Sequence, residues 1–250
     1  MKSVLKHRTI HTWLLPLLCA CGLGMGQEPA RDAKADQIAD EVMEAMGGAE
    51  AYDKTHFITW RFFGRRLHVW DKYTGDIRAE DGKGLVVIMN LNTKQGKAWQ
   101  EGTQITDETE LQDKLKWGYE VWINDSYWLV MPYKLKDPGV HLTFTREDQT
   151  EDGRSADVLT LTFDNVGVTP ENKYEVFVDK ESRLVTQWRF YTKAEDEEPR
   201  FTTPWANWQQ YGNILLSDDR GRSKHSDIAV FDKLPVPAFD GPDPVVFPSE

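Results

Sequence analysis

TDETELQDKLKWGYEVWINDSYWLVMPYKLKDPGV, Thr106 to Val140, is the stretch on which the reading of this chain turns. Asp107 with Glu110 three positions on has the form of a capping box. Leu111, Leu115, Gly118, Tyr119 and Trp122 then recur at helical spacing, so a helix is expected from Asp107 to Asn124. Tyr127, Trp128, Leu129, Val130 and Met131 carry the apolar surface onward, and Pro132 with Pro138-Gly139 stops it. This run is too short to span a bilayer and too apolar for an idle loop, so it must face something.

What it faces is indicated by the segments around it, where the period falls to two. HFITWRFF puts Ile58, Trp60 and Phe62 on one face, and GRR turns the chain into LHVWDKYTG. GLVVIMNL, GKAWQEG, VHLTFTRED, DVLTLTFDN, KYEVFVDK, RLVTQWRFYTK, TTPWANWQQY and SDIAVFDK continue the series, with turn pairs such as Asn92-Thr93 and Asp152-Gly153 between them. One earlier segment, AKADQIADEVMEAMGG, is again helical, with Ala35, Ile38, Ala39, Val42, Met43 and Met46 on one face and Gly47-Gly48 as its stop. The expected fold is therefore mainly β. It is a single curved antiparallel sheet or incomplete barrel, with an N-terminal helix and a mid-chain helix plugging the concave face.

The first residues carry a different message. MKSVLKHR is a positive n-region, and TWLLPLLCACGLGMG is a short apolar run ending in small residues, the pattern of an export signal. Cleavage after Gly26 gives a 1–26 signal peptide; the L-C-A-C at Leu18 to Cys21 equally fits a lipoprotein signal of residues 1–20 with Cys21 lipidated. Both stay open, and one domain, 33–248, follows. The expected location is the periplasm, or the outer membrane of a bacterium through that anchor. Cys19 and Cys21 are the only cysteines, so the exported domain has no disulfide and no thiolate nucleophile.

The chain carries 30 basic and 41 acidic residues. Removing Lys2, Lys6 and Arg8 leaves 27 basic residues, a net charge near −14, which argues against nucleic acid and against an anionic membrane surface as partners. The HExxH, GxSxG, Walker and GxGxxG patterns do not occur. His56, His68, His141 and His225 are scattered among strands without metal spacing and are read as surface or satisfied strand residues. Asp76, Glu80, Asp81 and Glu175 are the carboxylates that glycoside chemistry would need as a pair, but acidic residues are common enough for chance pairing. The chain is read as a non-catalytic monomer without metal or cofactor. AEDEEPR, Ala194 to Arg200, reads as an exposed hairpin tip, and LPVPAFDGPDPVVFP as an extended segment along the sheet edge.

Large aromatics crowd one face: Trp60, Trp70, Trp99, Trp188, Trp205 and Trp208, with Trp122 and Trp128 from the helix region. They fill a core of unusually big residues, or they line a groove for an acyl chain or other flat apolar ligand. Periodicity does not separate the two. The groove reading names Trp60, Phe62, Trp70, Met89, Trp99, Trp122, Trp128, Met131 and Trp188 as its lining, with Trp128 and Met131 opposite Trp60 and Trp70.

MGGAEAYDKTHFITWRFFGRRLHVWDKYTG (Met46–Gly75), NDSYWLVMPYKLKDPGV (Asn124–Val140) and DNVGVTPENKYEVFVDKESRLVTQW (Asp164–Trp188) resemble a family of uncharacterised exported bacterial proteins. The fold of that family is similar to the Lol-type periplasmic lipoprotein carriers (LolA/LolB-like). The pattern shared with the carriers runs from about Ala35 to Phe247 and ends on L-P-x-x-x-F. The resemblance implies an incomplete barrel with a helical lid over an apolar cavity, and as partner a lipid, an acyl chain or a lipoprotein. This chain is longer than a typical carrier, its strands bear more tryptophan, and no position matches the carriers' gating residue.

Overall fold

The computed structural model describes residues 32–164, 166–234 and 236–247, apart from the side chains of Val236 and Pro237. The expected export signal, with both Gly26 and Cys21, lies outside the described residues. Asp32 starts the first helix, α1 (Ala33–Ala45), by accepting from the N–H groups of Lys34 and Ala35, the usual N-cap service. Its other oxygen accepts from Phe144 N–H at 2.9 Å, so one carboxylate both caps the helix and ties it to a distant strand. The hydrogen bonds from Ala35 and Phe144 hold this carboxyl below its usual range. The apolar stripe is the expected one, with Ala35, Ile38, Ala39, Val42 and Met46 all buried. Gly47 ends it at φ +110°, where a Cβ would lie 2.3 Å from the Asn213 carbonyl oxygen. A short helix, α2 (Ala49–Lys54), follows.

The period-two segments form antiparallel ladders that do not close into a barrel. They are β1 (Phe57–Phe62), β2 (Arg66–Asp71), β3 (Asp76–Glu80), β4 (Leu85–Asn90), β5 (Gly96–Gln100) and β6 (Thr103–Gln104). After the mid-chain helix come β7 (Val140–Gln149), β8 (Ser155–Phe163), β9 (Lys173–Asp179), β10 (Val185–Tyr191), β11 (Phe201–Pro204), β12 (Ala206–Tyr211), β13 (Ile214–Asp219) and β14 (Ser226–Phe231). Among the described residues they make not one continuous sheet but three: β14-β1-β2-β3-β4-β5-β6, β11-β10-β9-β8-β7, and the pair β12-β13. Two features divide them. The helix replaces a hairpin between β6 and β7, and after Trp205, whose N–H still donates to the Thr186 carbonyl at 2.9 Å, the chain leaves β10 and pairs with β13 instead.

The mid-chain helix, α3 (Glu108–Val130), is capped by Asp107 through Glu110 N–H, as the capping box predicts. Its end is later than expected: the helix passes Asn124, continues to Val130 and tightens into a 3-10 turn, Met131–Lys134. Alternation in β4 shows which face it covers. Leu85, Val87 and Met89 pack with Ile77, Ala98 and Leu115 beneath the helix, whereas Val86 and Ile88 point the other way. Gly118 makes the contact possible, because a Cβ there would lie 2.7 Å from Val87 Cγ1. Gly118→Val is therefore expected to lower stability by roughly 1–3 kcal/mol through overpacking, although a helix interior disfavours glycine. A urea midpoint at or above that of the parent would show that the helix does not lie this close. No helix among the described residues is long and apolar enough to cross a membrane.

The opposite face of the long sheet is covered by the segment after β14. Phe239 packs on Val86, Ile88 and Trp99, and the fully buried Arg78 donates to the carbonyls of Ala238, Gly241, Pro242 and Asp243 and to Glu80. The proline-rich stretch thus crosses the sheet face instead of following its edge. Proline leaves carbonyls but few N–H groups, and a guanidinium with five donors matches that surplus.

Candidate functional site

The last turns of α3 lie between the two larger sheets, and there a cavity of about 330 Å³ remains. Because the chain is still helical, Ile123, Tyr127, Val130 and Lys134 form one stripe on its wall, flanked by Trp122 and Trp128. Trp70 of β2 faces Trp122 edge to face at 5.2 Å. Phe163 and Tyr174 close the far side from β8 and β9, and the β8–β9 loop contributes Val166, Gly167, Val168 and Thr169. Val166 and Val168 are themselves 37% and 45% exposed. Lys134 and Asp137, paired with each other, are the charged groups in the lining. Burial raises the phenols of Tyr127 and Tyr174, so both keep their protons. Lys72, 3.6 Å over the Tyr52 ring and 6.0 Å from that of Trp70, is pushed down to about 8 by burial.

Three of the tryptophans named from the sequence meet at this cavity: Trp70, Trp122 and Trp128. Trp60, Phe62, Met131 and Trp188 instead belong to the main core, Trp60 with no exposed surface. Met131 differs from the expectation because the helix turns it inward at the cap, so Trp128 meets Trp188 at 4.6 Å and Phe63 at 5.4 Å. Met89 lies beneath α3 next to Gly118, and Trp99 is on the other face of the sheet against Phe239.

Beside the cavity wall lies a buried polar cluster that the sequence reading passed over. Alternation places Arg66, His68 and Trp70 on one face of β2, opposite α3, and Asp125 comes from the helix to meet them. Arg66 grips its carboxylate with two donors at 2.6 and 2.8 Å, and His68 Nε2 donates at 2.7 Å. Burial works against the Asp125 charge, but the hydrogen bonds from His68, Arg66 and Asn124 outweigh it and hold the carboxyl below its usual range. Burial likewise holds His68 down, against the attraction of Asp125, so it is a neutral imidazole. Its Nδ1 is then a bare acceptor, buried without a partner, while the ring stacks on Trp60 at 4.6 Å. The signal was present: the stripe Leu111, Leu115, Gly118, Trp122 points on to Asp125, and a carboxylate there requires a cation.

His225 is the second buried histidine. Its Nε2 donates to the Trp128 carbonyl at 3.2 Å, and burial, followed by the Arg220 charge, pushes it down to about 3. The other two described histidines are more open, His56 against Asp71 at 3.1 Å and His141 against Asp164 at 2.6 Å. Among the described residues no group of three or more metal-ligating side chains occurs. The carboxylates considered for glycoside chemistry are engaged separately. Glu175 is held by Arg146 and Arg189, Glu80 by Arg78, Asp76 by Thr74 and Asn90, and Asp81 caps the turn into β4.

No family model matches the chain, and no curated protein matches it. Among solved structures it is similar to a DUF1329 family protein from Desulfovibrio piger ATCC 29098, with 11% sequence identity over 82% of this chain and 96% of that chain, at a TM-score of 0.40.

Proposed function

We propose that this protein binds the apolar part of a lipid or acylated ligand in the cavity beside α3, as an exported, non-catalytic carrier of the bacterial cell envelope. The observation that carries the reading is the cavity itself. In a chain with enough tryptophan to fill its interior, about 330 Å³ stays open between Trp70, Trp122, Tyr127, Trp128, Phe163 and Tyr174. That volume and that lining, apolar with a single charged pair, are those of a small-molecule site. The order of elements that the chain shares with the Lol-type carriers, a likeness of pattern, points to the same reading. A second reading, a structural or protein-interaction domain with a filled core, draws support from Trp60, Trp188 and Met131, which are packed solid.

Trp128→Ala separates the two. The side chain is only partly buried, so its loss is expected to cost on the order of 1 kcal/mol of stability, while uptake of a fluorescent fatty-acyl probe weakens roughly tenfold. A parent protein that takes up no such probe, and whose solvent extract contains no lipid by mass spectrometry, would leave the filled-core reading in possession.

A further inference from the structure

The cavity wall is fixed from outside the cavity. At the end of α3 the Met131 N–H still closes a helical bond to the Tyr127 carbonyl. The next bond in the series would run from residue 132 to the Trp128 carbonyl. Residue 132 is proline, which has no N–H and whose ring presses on the carbonyl four positions back. A carbonyl orphaned in this way inside a protein needs another donor. The Trp128 oxygen has two: Arg220 Nη2 at 2.7 Å and His225 Nε2 at 3.2 Å.

Both donors are themselves held rigidly. Arg220 and His225 are 4% and 3% exposed. The other Arg220 hydrogen bonds go to the Ser217 hydroxyl and to the carbonyls of Ser217 and Asp219, and its guanidinium lies 3.5 Å over the Trp205 ring. Phe63 stacks on His225 at 4.9 Å and meets Trp128 edge to face, so the same imidazole supports the indole through a ring as well as through the main chain. A buried guanidinium aimed at a main-chain oxygen, where a carboxylate would neutralise it better, is explained by what that oxygen positions.

We infer that Arg220 and His225 are positioning residues of the cavity. By holding the carbonyl that Pro132 leaves without a helical donor, they set the last turn of α3 and keep the Trp128 indole in the wall. The consequence for binding rests on the function proposed above; the positioning itself is a property of the ligand-free protein and is tested without any ligand.

The experiment uses protein labelled with 5-fluorotryptophan, with the Trp128 resonance assigned by Trp128→Phe. Arg220→Gln is expected to shift or broaden the Trp128 resonance while leaving that of Trp99, on the far side of the long sheet, in place. Uptake of the fatty-acyl probe is expected to fall by about tenfold. Adding Pro132→Ala returns a helical donor to the oxygen, and the double variant is expected to recover both the resonance and the uptake. Arg220→Lys, which keeps a donor and the charge, gives a smaller shift in the same direction and serves if Arg220→Gln does not fold. An unmoved Trp128 resonance, a Trp99 resonance that moves with it, or no recovery with Pro132→Ala overturns the assignment. A parent that takes up no probe but shows the expected resonance changes overturns the carrier reading and leaves the positioning intact.

Discussion

Asp125→Ala is expected to destabilise the protein by roughly 3–5 kcal/mol, the cost of breaking a buried ion pair by removing one partner. The carboxylate has no exposed surface, and three side chains aim donors at it. Without it the Arg66 guanidinium has lost its counter-charge and the His68 Nε2–H its acceptor, both against the aromatic rings of Trp60 and Phe62. Removing both charges together, Arg66→Met with Asp125→Leu, is expected to cost much less, because no charge is then stranded. Urea unfolding of the two variants measures the difference. If the single and double variants lose the same amount, the pair contributes by attraction and the argument from stranded charge fails.

Acid is expected to unfold the protein earlier than its carboxylates alone would dictate. His225 sits at about 3 in the folded state and near 6.5 in an unfolded chain, and His68 is displaced in the same direction. The unfolded state therefore takes up protons first as the pH falls below 6.5. The stability these neutral imidazoles contribute is fully present above that value and is lost toward the folded pKa, at about 1.4 kcal/mol per pH unit for His225. Among the groups facing His225, Arg220 and His68 disfavour its charge, and the opposing pull of the Trp128 carbonyl and of Asp125, which is committed to Arg66 and His68, does not offset the burial. A proton on Nδ1 would enter a buried position with no partner. Below about pH 4 the loss of Asp125 ionisation adds to the effect, since its folded pKa is also depressed. Stability measured at pH 7 and pH 4.5 should differ by on the order of 3 kcal/mol. His225→Gln, which keeps a donor for the carbonyl, should remove about one proton from the slope. Equal stability at the two pH values would mean that these histidines are hydrated.

The architecture was legible because it is written in periods: two along the strands and 3.6 in α1 and α3. The mainly β, antiparallel, unclosed arrangement and both principal helices follow from those patterns. What periodicity does not encode is where a ladder ends. The division into three ladders depends on which strands meet after the helix, and the return of β14 to β1 depends on contacts between distant segments. At the site, Trp70, Trp122 and Trp128 were recognisable as large aromatics on the right faces. Size and hydrophobicity are the same for a tryptophan in the wall and one in the core, so Trp60 and Trp188 carried the same signal. Asp125 escaped because the helix was ended at Asn124. A carboxylate inside an apolar helical stripe is read as surface unless the helix is extended through it.

The long sheet is joined across most of the chain. Thr59 contacts Asp227 across 168 positions, and Arg78 reaches Ala238 across 160. Hairpins β1 to β6 can zip locally, but the strand that flanks β1 and the segment that shields Val86, Ile88 and Trp99 arrive only after everything between them has been ordered. A fold with its closing contacts at such separation has a high contact order, and loop closure must precede the reward of burial, so its rate-limiting step is expected to be slow. Until that step, the apolar face later covered by Phe239 is open to water, and a nascent chain of this protein would present it to any binder that shields unfinished sheets.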